Sequence, residues 1–247
     1  MNSQVYLFFR KLFLVALLTG LVACEKETIH KTKENGWLKE IRSGDKIHQQ
    51  FIYKGESLVE EKWFGFECKD NPTDVFAYIY QQGKITSLQV TLRSLYSSTA
   101  ALCDPATGIH SEENFEYDAQ GRLSKTVRNT SYTIYTYNAN GFIEKQTIHS
   151  TDGTVQSTTS FRYDAKGNIV QEIDTQGNST QYQYDDQPNP FYLINQRPGW
   201  ISAFNKSPNN VLKVTGAVTF DRTIEYFPNG LPRRVLENGV YYTYHYE

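Results

Sequence analysis

The chain has 247 residues, with 25 Lys and Arg against 27 Asp and Glu and a formal net charge of −2. A mildly acidic chain offers no basic stripe to a phosphate backbone. This argues against a nucleic-acid partner and against electrostatic capture on anionic lipid. The length suits one large all-β domain or two smaller ones.

The first element is an export signal. Arg10 and Lys11 precede an apolar run from Leu12 to Leu18, and Leu21-Val22-Ala23-Cys24 follows. A cationic flank, a short apolar core and small residues before a cut site make a secretory signal. The run is too short to span a bilayer, which takes about 20 apolar residues. With Cys24 at the cut, the block resembles the lipobox of bacterial lipoproteins. That resemblance implies removal of residues 1–23 and multiple acylation of Cys24, hence stable attachment to a membrane. Glu25 in place of aspartate implies, by the same resemblance, the outer membrane, with the periplasmic or surface face left open. Loss of residues 1–23 leaves 23 basic against 27 acidic residues, a net charge of −4. Residues 24–36 read as a polar tether, and residues 37–247 as a single β domain opened by Trp37, Leu38 and Ile41.

In an exported, oxidising setting Cys68 and Cys103 are expected to be bridged, which would stabilise the fold by about 3–4 kcal/mol. Spacing alone does not prove their proximity, so two separate thiols remain the alternative. His30, His48, His110, His149 and His245 are scattered, and none pairs with a cysteine at ligand spacing. No metal and no cofactor are expected.

From residue 115 the chain repeats itself. Phe115-Glu116-Tyr117-Asp118-Ala119-Gln120-Gly121-Arg122-Leu123 is followed by copies at Tyr135–Ile143 and Phe161–Ile169. A fourth copy starts at Tyr182 but replaces its glycine turn with Gln187-Pro188-Asn189-Pro190, and a fifth runs from Ile224 through Tyr226 and Gly230. Degenerate copies lie at Phe51–Gly55 and Tyr78–Gly83. Asp or Asn first and Gly fourth suit a type I turn. Asp118, Asn138 and Asp164 are therefore turn openers, and Gly121, Gly141, Gly167 and Gly230, in the left-handed conformation, close three-residue hairpin loops with a bulge.

That geometry sets Tyr117 opposite Leu123, Tyr137 opposite Ile143 and Tyr163 opposite Ile169, all facing the core. Continued at constant register, it lays Phe115 and Tyr135 beside Lys125 and Lys145. It also sends Glu116, Arg122, Ser124, Arg162, Asn168 and Glu172 to a solvent face. Turn signals at the opposite strand ends (Asn129-Thr130, Asp152-Gly153, Asp174 to Gly177, Asn238-Gly239) complete a meander of strands about seven residues long. The expected fold is all-β, a curled antiparallel sheet of short hairpins.

The pattern aromatic-x-Tyr-Asp-x-x-Gly-x-Leu/Ile resembles the YD repeat of RHS-type bacterial proteins, most closely over residues 115–185. Residues 188–214 are similar to an element of short YD-repeat lipoproteins of Gram-negative envelopes. The resemblance implies a β-repeat shape. The encapsulating shell of the large members does not carry over to a chain this short.

Between Asp186 and Gly216 the repeat breaks off, and Pro188, Pro190, Pro198 and Pro208 deny ladder donors. The segment near 188–214 is expected to be an irregular cap, with a helical turn possible at Trp200–Phe204. Its rings Tyr192, Trp200 and Phe204 are also the candidate ligand surface, because the repeats already supply a regular core.

No nucleophile elbow, phosphate loop or zinc pair occurs, and the turn aspartates are accounted for by the turns. Two function classes compete. One is a non-catalytic envelope module that binds or scaffolds a protein or glycan; the other is a hydrolase of a surface polysaccharide with an unfamiliar site.

Overall fold

The computed structural model describes residues 36–247 except 66, 69–70, 96–97 and 195–197. Cys24 and residues 1–23 lie outside the described residues. The chain is all-β, a meander of sixteen antiparallel strands among the described residues, and it closes on itself as a barrel. The first five strands are β1 (Leu38–Ser43), β2 (Lys46–Lys54), β3 (Ser57–Trp63), β4 (Asp74–Gln81) and β5 (Lys84–Leu92). A short helix, α1 (Thr99–Cys103), precedes β6 (Ile109–Tyr117) and β7 (Leu123–Val127). Then come β8 (Ser131–Tyr137), β9 (Ile143–Ser150), β10 (Val155–Tyr163), β11 (Ile169–Ile173) and β12 (Ser179–Pro188). Two helical turns, α2 (Pro190–Ile194) and α3 (Ala203–Lys206), lead to β13 (Asn209–Thr215), β14 (Phe220–Tyr226), β15 (Pro232–Glu237) and β16 (Val240–Tyr246). Pairing of β1 with β16 closes the ring, fastened by reciprocal bonds of 3.0 Å between the backbones of Trp37 and Glu247.

The repeat turns form as their composition dictates. The Asp118 carboxylate accepts from the amides of Gln120 (3.0 Å) and Arg122 (2.8 Å). Asn138 and Asp164 do the same in their own loops. Gly121, Gly141, Gly167 and Gly230 all have φ between 78° and 87°, where a side chain would be strained. Tyr117 faces Leu123, Tyr137 faces Ile143 and Tyr163 faces Ile169, the register the spacing implies.

One strand position further in, each hairpin departs from constant register. A bulge puts Ser124 and Lys125 opposite Glu116, so that Phe115 pairs with Thr126 and not with Lys125. Lys125 then points outward, 3.4 Å from Glu116, and lies over the Tyr132 ring at 5.2 Å. Tyr135 likewise pairs with Gln146, not Lys145. The bulge turns inward a residue three places after each Leu or Ile. Leu58 is followed in this way by Glu61, Ile85 by Leu88, Leu123 by Thr126 and Ile169 by Glu172. Glu172 therefore does not belong to the solvent face, where alternation alone would send it. Asn168 is also 1% exposed, because its amide spans Asp164 and Asn209.

A bulge also leaves a carbonyl without a ladder partner, and a buried carbonyl left so is costly. The repeat tyrosine answers this. Tyr137 donates its hydroxyl to the Leu123 carbonyl (2.6 Å), Tyr163 to Ile143 (2.8 Å) and Tyr117 to Ile85 (2.7 Å). Tyr53, Tyr80, Tyr184 and Tyr246 make the equivalent bond to Leu38, Leu58, Ile169 and Pro232. The tyrosine of one hairpin thus fastens the bulge of the hairpin before it.

Sixteen strands enclose more space than their own side chains can fill. The segment between β12 and β13 supplies the remainder. Its irregular part is residues 189–208, narrower than 188–214, since β12 runs through Pro188 and β13 begins at Asn209. Trp200–Phe204 does not form a turn of its own. Ser202 caps α3, with Asn205 returning a bond to the Ser202 amide, so the helical turn starts at Ala203. Ile194, Ile201 and Ala203 are buried in the same cluster as Phe51, Phe115 and Tyr135 of the wall. The segment is a plug.

Candidate functional site in the barrel lumen

The plug reaches the wall all round. Phe191 meets Phe51 of β2 and Tyr244 of β16, with ring centroids 6.2 and 6.3 Å apart. Phe204 stacks on Phe220 at 6.1 Å, meets Tyr182 edge-on and lies under the Arg222 guanidinium at 4.5 Å. Gly199 touches the wall so closely that a Cβ would stand 2.9 Å from Thr126 Oγ1 and 3.1 Å from Phe115 Cε1. The Tyr135 hydroxyl donates to the Gly199 carbonyl at 3.0 Å, and burial pushes that phenol up to about 12.

Where the plug approaches β4 to β7 it leaves a cavity of about 380 Å³, within the range of small-molecule sites. Phe76, Leu88, Val90 and Leu92 make an apolar wall, and Glu113, Arg128 and Trp200 make the rest that matters. Glu113 accepts from Arg128 Nε (3.1 Å) and Nη2 (2.8 Å), so the two charges neutralise each other. Trp200 is 41% exposed, unusual for an indole lining the inside of a barrel. Beside it, 6.1 Å away, stands Trp63, whose indole N–H donates to Glu61. Glu61 is fully buried and also accepts from Tyr78 at 3.0 Å. A buried carboxylate thus fixes the orientation of one ring of a two-indole surface.

The three rings expected to form one ligand surface are separated. Trp200 lines the cavity, Phe204 is plug core against Phe220, and Tyr192 lies half-buried on α2 away from the cavity. Sequence reasoning missed Trp63, Glu113 and Arg128. Only the bulge rule, which turns Glu61 inward and places Trp63 two residues on, could have pointed to the first. Cys68 and Cys103 are joined by a disulfide between the β3–β4 connection and α1. Next to it Arg93, buried, donates to the carbonyls of Pro72 (2.9 Å), Pro105 (2.9 Å) and Thr107 (2.8 Å). Both braces hold the loops that follow β3, which carries Trp63, and the cavity strand β5.

Two further groups in the plug region titrate away from their usual values. Burial raises the Glu172 carboxyl, which accepts from the Ala203 amide at 3.3 Å, and burial lowers Lys206 to about 8. Among the described residues no cluster of three or more His, Cys, Asp or Glu is placed to hold a metal ion.

Residues 156–189 match the family model described as RHS Repeat. The RHS match covers nearly all of β10 together with β11 and β12, and it ends at Asn189 where the plug begins. It supports an RHS-type, YD-repeat protein. No match is found among curated proteins. Of solved structures, a crystal structure of TcdB2-TccC3-Cdc42 is 14% identical with a TM-score of 0.34, covering 78% of this chain and 9% of that one. The chain therefore spans less than a tenth of that relative. A porin-like protein from Bacteroides uniformis ATCC 8492 is 12% identical with a TM-score of 0.42, covering 85% of this chain and 98% of that one.

Proposed function

We propose that the protein is a lipid-anchored envelope module that binds a glycan, without transforming it, in the lumen cavity at Trp200. The observation that carries this reading is the exposed Trp200 ring in a concave site that also holds the Glu113–Arg128 pair. A flat indole stacks on the C–H face of a sugar, and a paired carboxylate and guanidinium supply acceptors and donors for its hydroxyls. A recess inside a barrel admits a chain of sugars more readily than the convex surface of a protein. The outward strand faces carry the charges of Glu116, Lys125, Arg162 and Arg233, which oppose burial of those positions in lipid. Attachment to a membrane is assigned instead to the lipobox at Cys24.

A glycan array probed with the purified protein, followed by titration of the best binder, tests the reading. Trp200→Ala is expected to weaken that affinity at least tenfold, the scale of a binding hot spot, roughly 1.4–3 kcal/mol. Unchanged affinity in a folded variant removes the site, and release of shorter sugars by the wild type would make the protein a hydrolase. For the anchor, Cys24→Ser is expected to abolish labelling by a radioactive fatty acid and partitioning into detergent. Retained labelling would end that assignment.

A further inference from the structure

A second hollow, about 160 Å³, lies in the lumen between the plug and strands β1, β2, β14, β15 and β16. It is lined by His48, Gln49, Arg222, Glu237, Tyr242 and the ring of Phe191, among others. Arg222 points inward from β14 and donates through Nε to Glu237 Oε2 at 2.6 Å. The His48 and Tyr242 rings lie 5.2 Å apart. An ion pair inside a barrel contributes little net stability, because desolvation offsets most of its attraction, and apolar residues would fill the same space as well. Hydrogen-bonding groups concentrated on one hollow instead suit a ligand made of hydroxyls.

The two hollows are neighbours. Trp63 pairs with Gln49 across the β2–β3 ladder, and Gln49 lines the smaller hollow. The Trp63 ring lies 5.7 Å from Phe76 and 6.1 Å from Trp200, both of which line the larger one. Both hollows also sit toward the same end of the barrel, opposite the repeat turns. Glu237 ends β15, Trp63 ends β3 and Leu92 ends β5.

We propose that the two hollows are subsites of one groove for a neutral oligosaccharide, which crosses the Trp63–Trp200 rings and places a further sugar against Arg222, Glu237 and Tyr242. This rests on the glycan reading above and extends it to ligand length and charge. Neutrality follows from the pairing of charges within each hollow, Glu113 with Arg128 and Arg222 with Glu237. The remaining charge on the lining, Glu112, is negative and opposes an acidic sugar.

Calorimetric titration with ladders from the disaccharide to the hexasaccharide tests the inference. β1,4-linked glucose, α1,4-linked glucose and β1,4-linked N-acetylglucosamine serve as the probes. In the series that binds, wild-type affinity is expected to rise about tenfold or more from the disaccharide to the longer members. Tyr242→Phe, which removes one oxygen, and Glu237→Gln are expected to erase most of that gain while leaving the disaccharide unchanged. Trp200→Ala is expected to weaken every length. Flat affinity along the ladder, or a Tyr242→Phe protein that keeps the full gain together with a folded Glu237→Gln protein that does so, overturns the second subsite. If Trp200→Ala still weakens binding in that case, the single-site reading stands. Failure of the wild type to bind any member overturns both.

Discussion

Ile169→Ala is expected to lower the stability of the barrel by about 3–4 kcal/mol, measured by urea denaturation. Ile169 is 0% exposed, the deepest member of the repeat core. It directly follows the Asp164 turn, and two bonds fix its backbone in place. Its amide donates to Ser207 Oγ at 3.0 Å, and its carbonyl accepts from Tyr184. Ser207 belongs to the end of the plug, so the wall cannot collapse into the space a lost side chain would leave. Cavities that cannot relax cost the most. Ile143 holds the equivalent place one repeat earlier but is only half-buried, so Ile143→Ala is expected to cost about half as much or less. A difference under 1 kcal/mol between Ile169→Ala and the wild type would show that plug and wall do not brace each other there.

The hairpins were legible because their determinants are local. Asp118 and Gly121 specify their loop through bonds no longer than four residues, and pairing of Tyr117 with Leu123 follows from loop length alone. Even the degenerate copies at Tyr53 and Tyr80 form hairpins and donate their hydroxyls as the regular ones do. The glycine bulge of the loop was legible, but the second bulge, at Ser124 and Lys125 and their counterparts, was not, since an extra residue on one strand leaves no mark in composition. Missing it sent Glu172 to the wrong face and gave Phe115 a lysine neighbour it does not have, whereas Asn168 is buried by its side-chain bonds to Asp164 and Asn209. Closure was hidden for a different reason: the β1–β16 pairing joins the two ends of the barrel chain, and nothing in either strand names the other. The same holds for the candidate site. Trp200 was visible as an aromatic outside the repeat, but Glu113, Arg128 and Trp63 meet it only because the barrel closes and the plug enters. An aromatic in a repeat break marks the plug; whether it faces core or cavity is decided by the wall.

The plug itself hangs on Asn189, and Asn189→Leu is expected to cost about 3 kcal/mol despite nearly conserved volume. The side chain is 2% exposed. Its Nδ2 donates to the carbonyls of Phe204 (2.7 Å) and Ser207 (2.9 Å), and its Oδ1 accepts from the Phe191 amide at 3.0 Å. One amide therefore ties the first residues of the plug to its last. Leucine fills the space but leaves two carbonyls and one N–H buried without those partners, and each such group costs on the order of 1–3 kcal/mol. Part of that loss is recovered if the plug shifts and admits water, which is why the sum is set below three full penalties. Strand content by circular dichroism should survive, because the ladder and the tyrosine hydroxyl bonds do not pass through Asn189. Amide exchange should instead quicken across residues 190–206, and the cavity should lose affinity with it, since Trp200 is positioned by the same segment. An Asn189→Leu protein with wild-type stability and wild-type exchange in 190–206 would mean that apolar packing of Phe191, Ile194 and Ile201 alone holds the plug in the barrel.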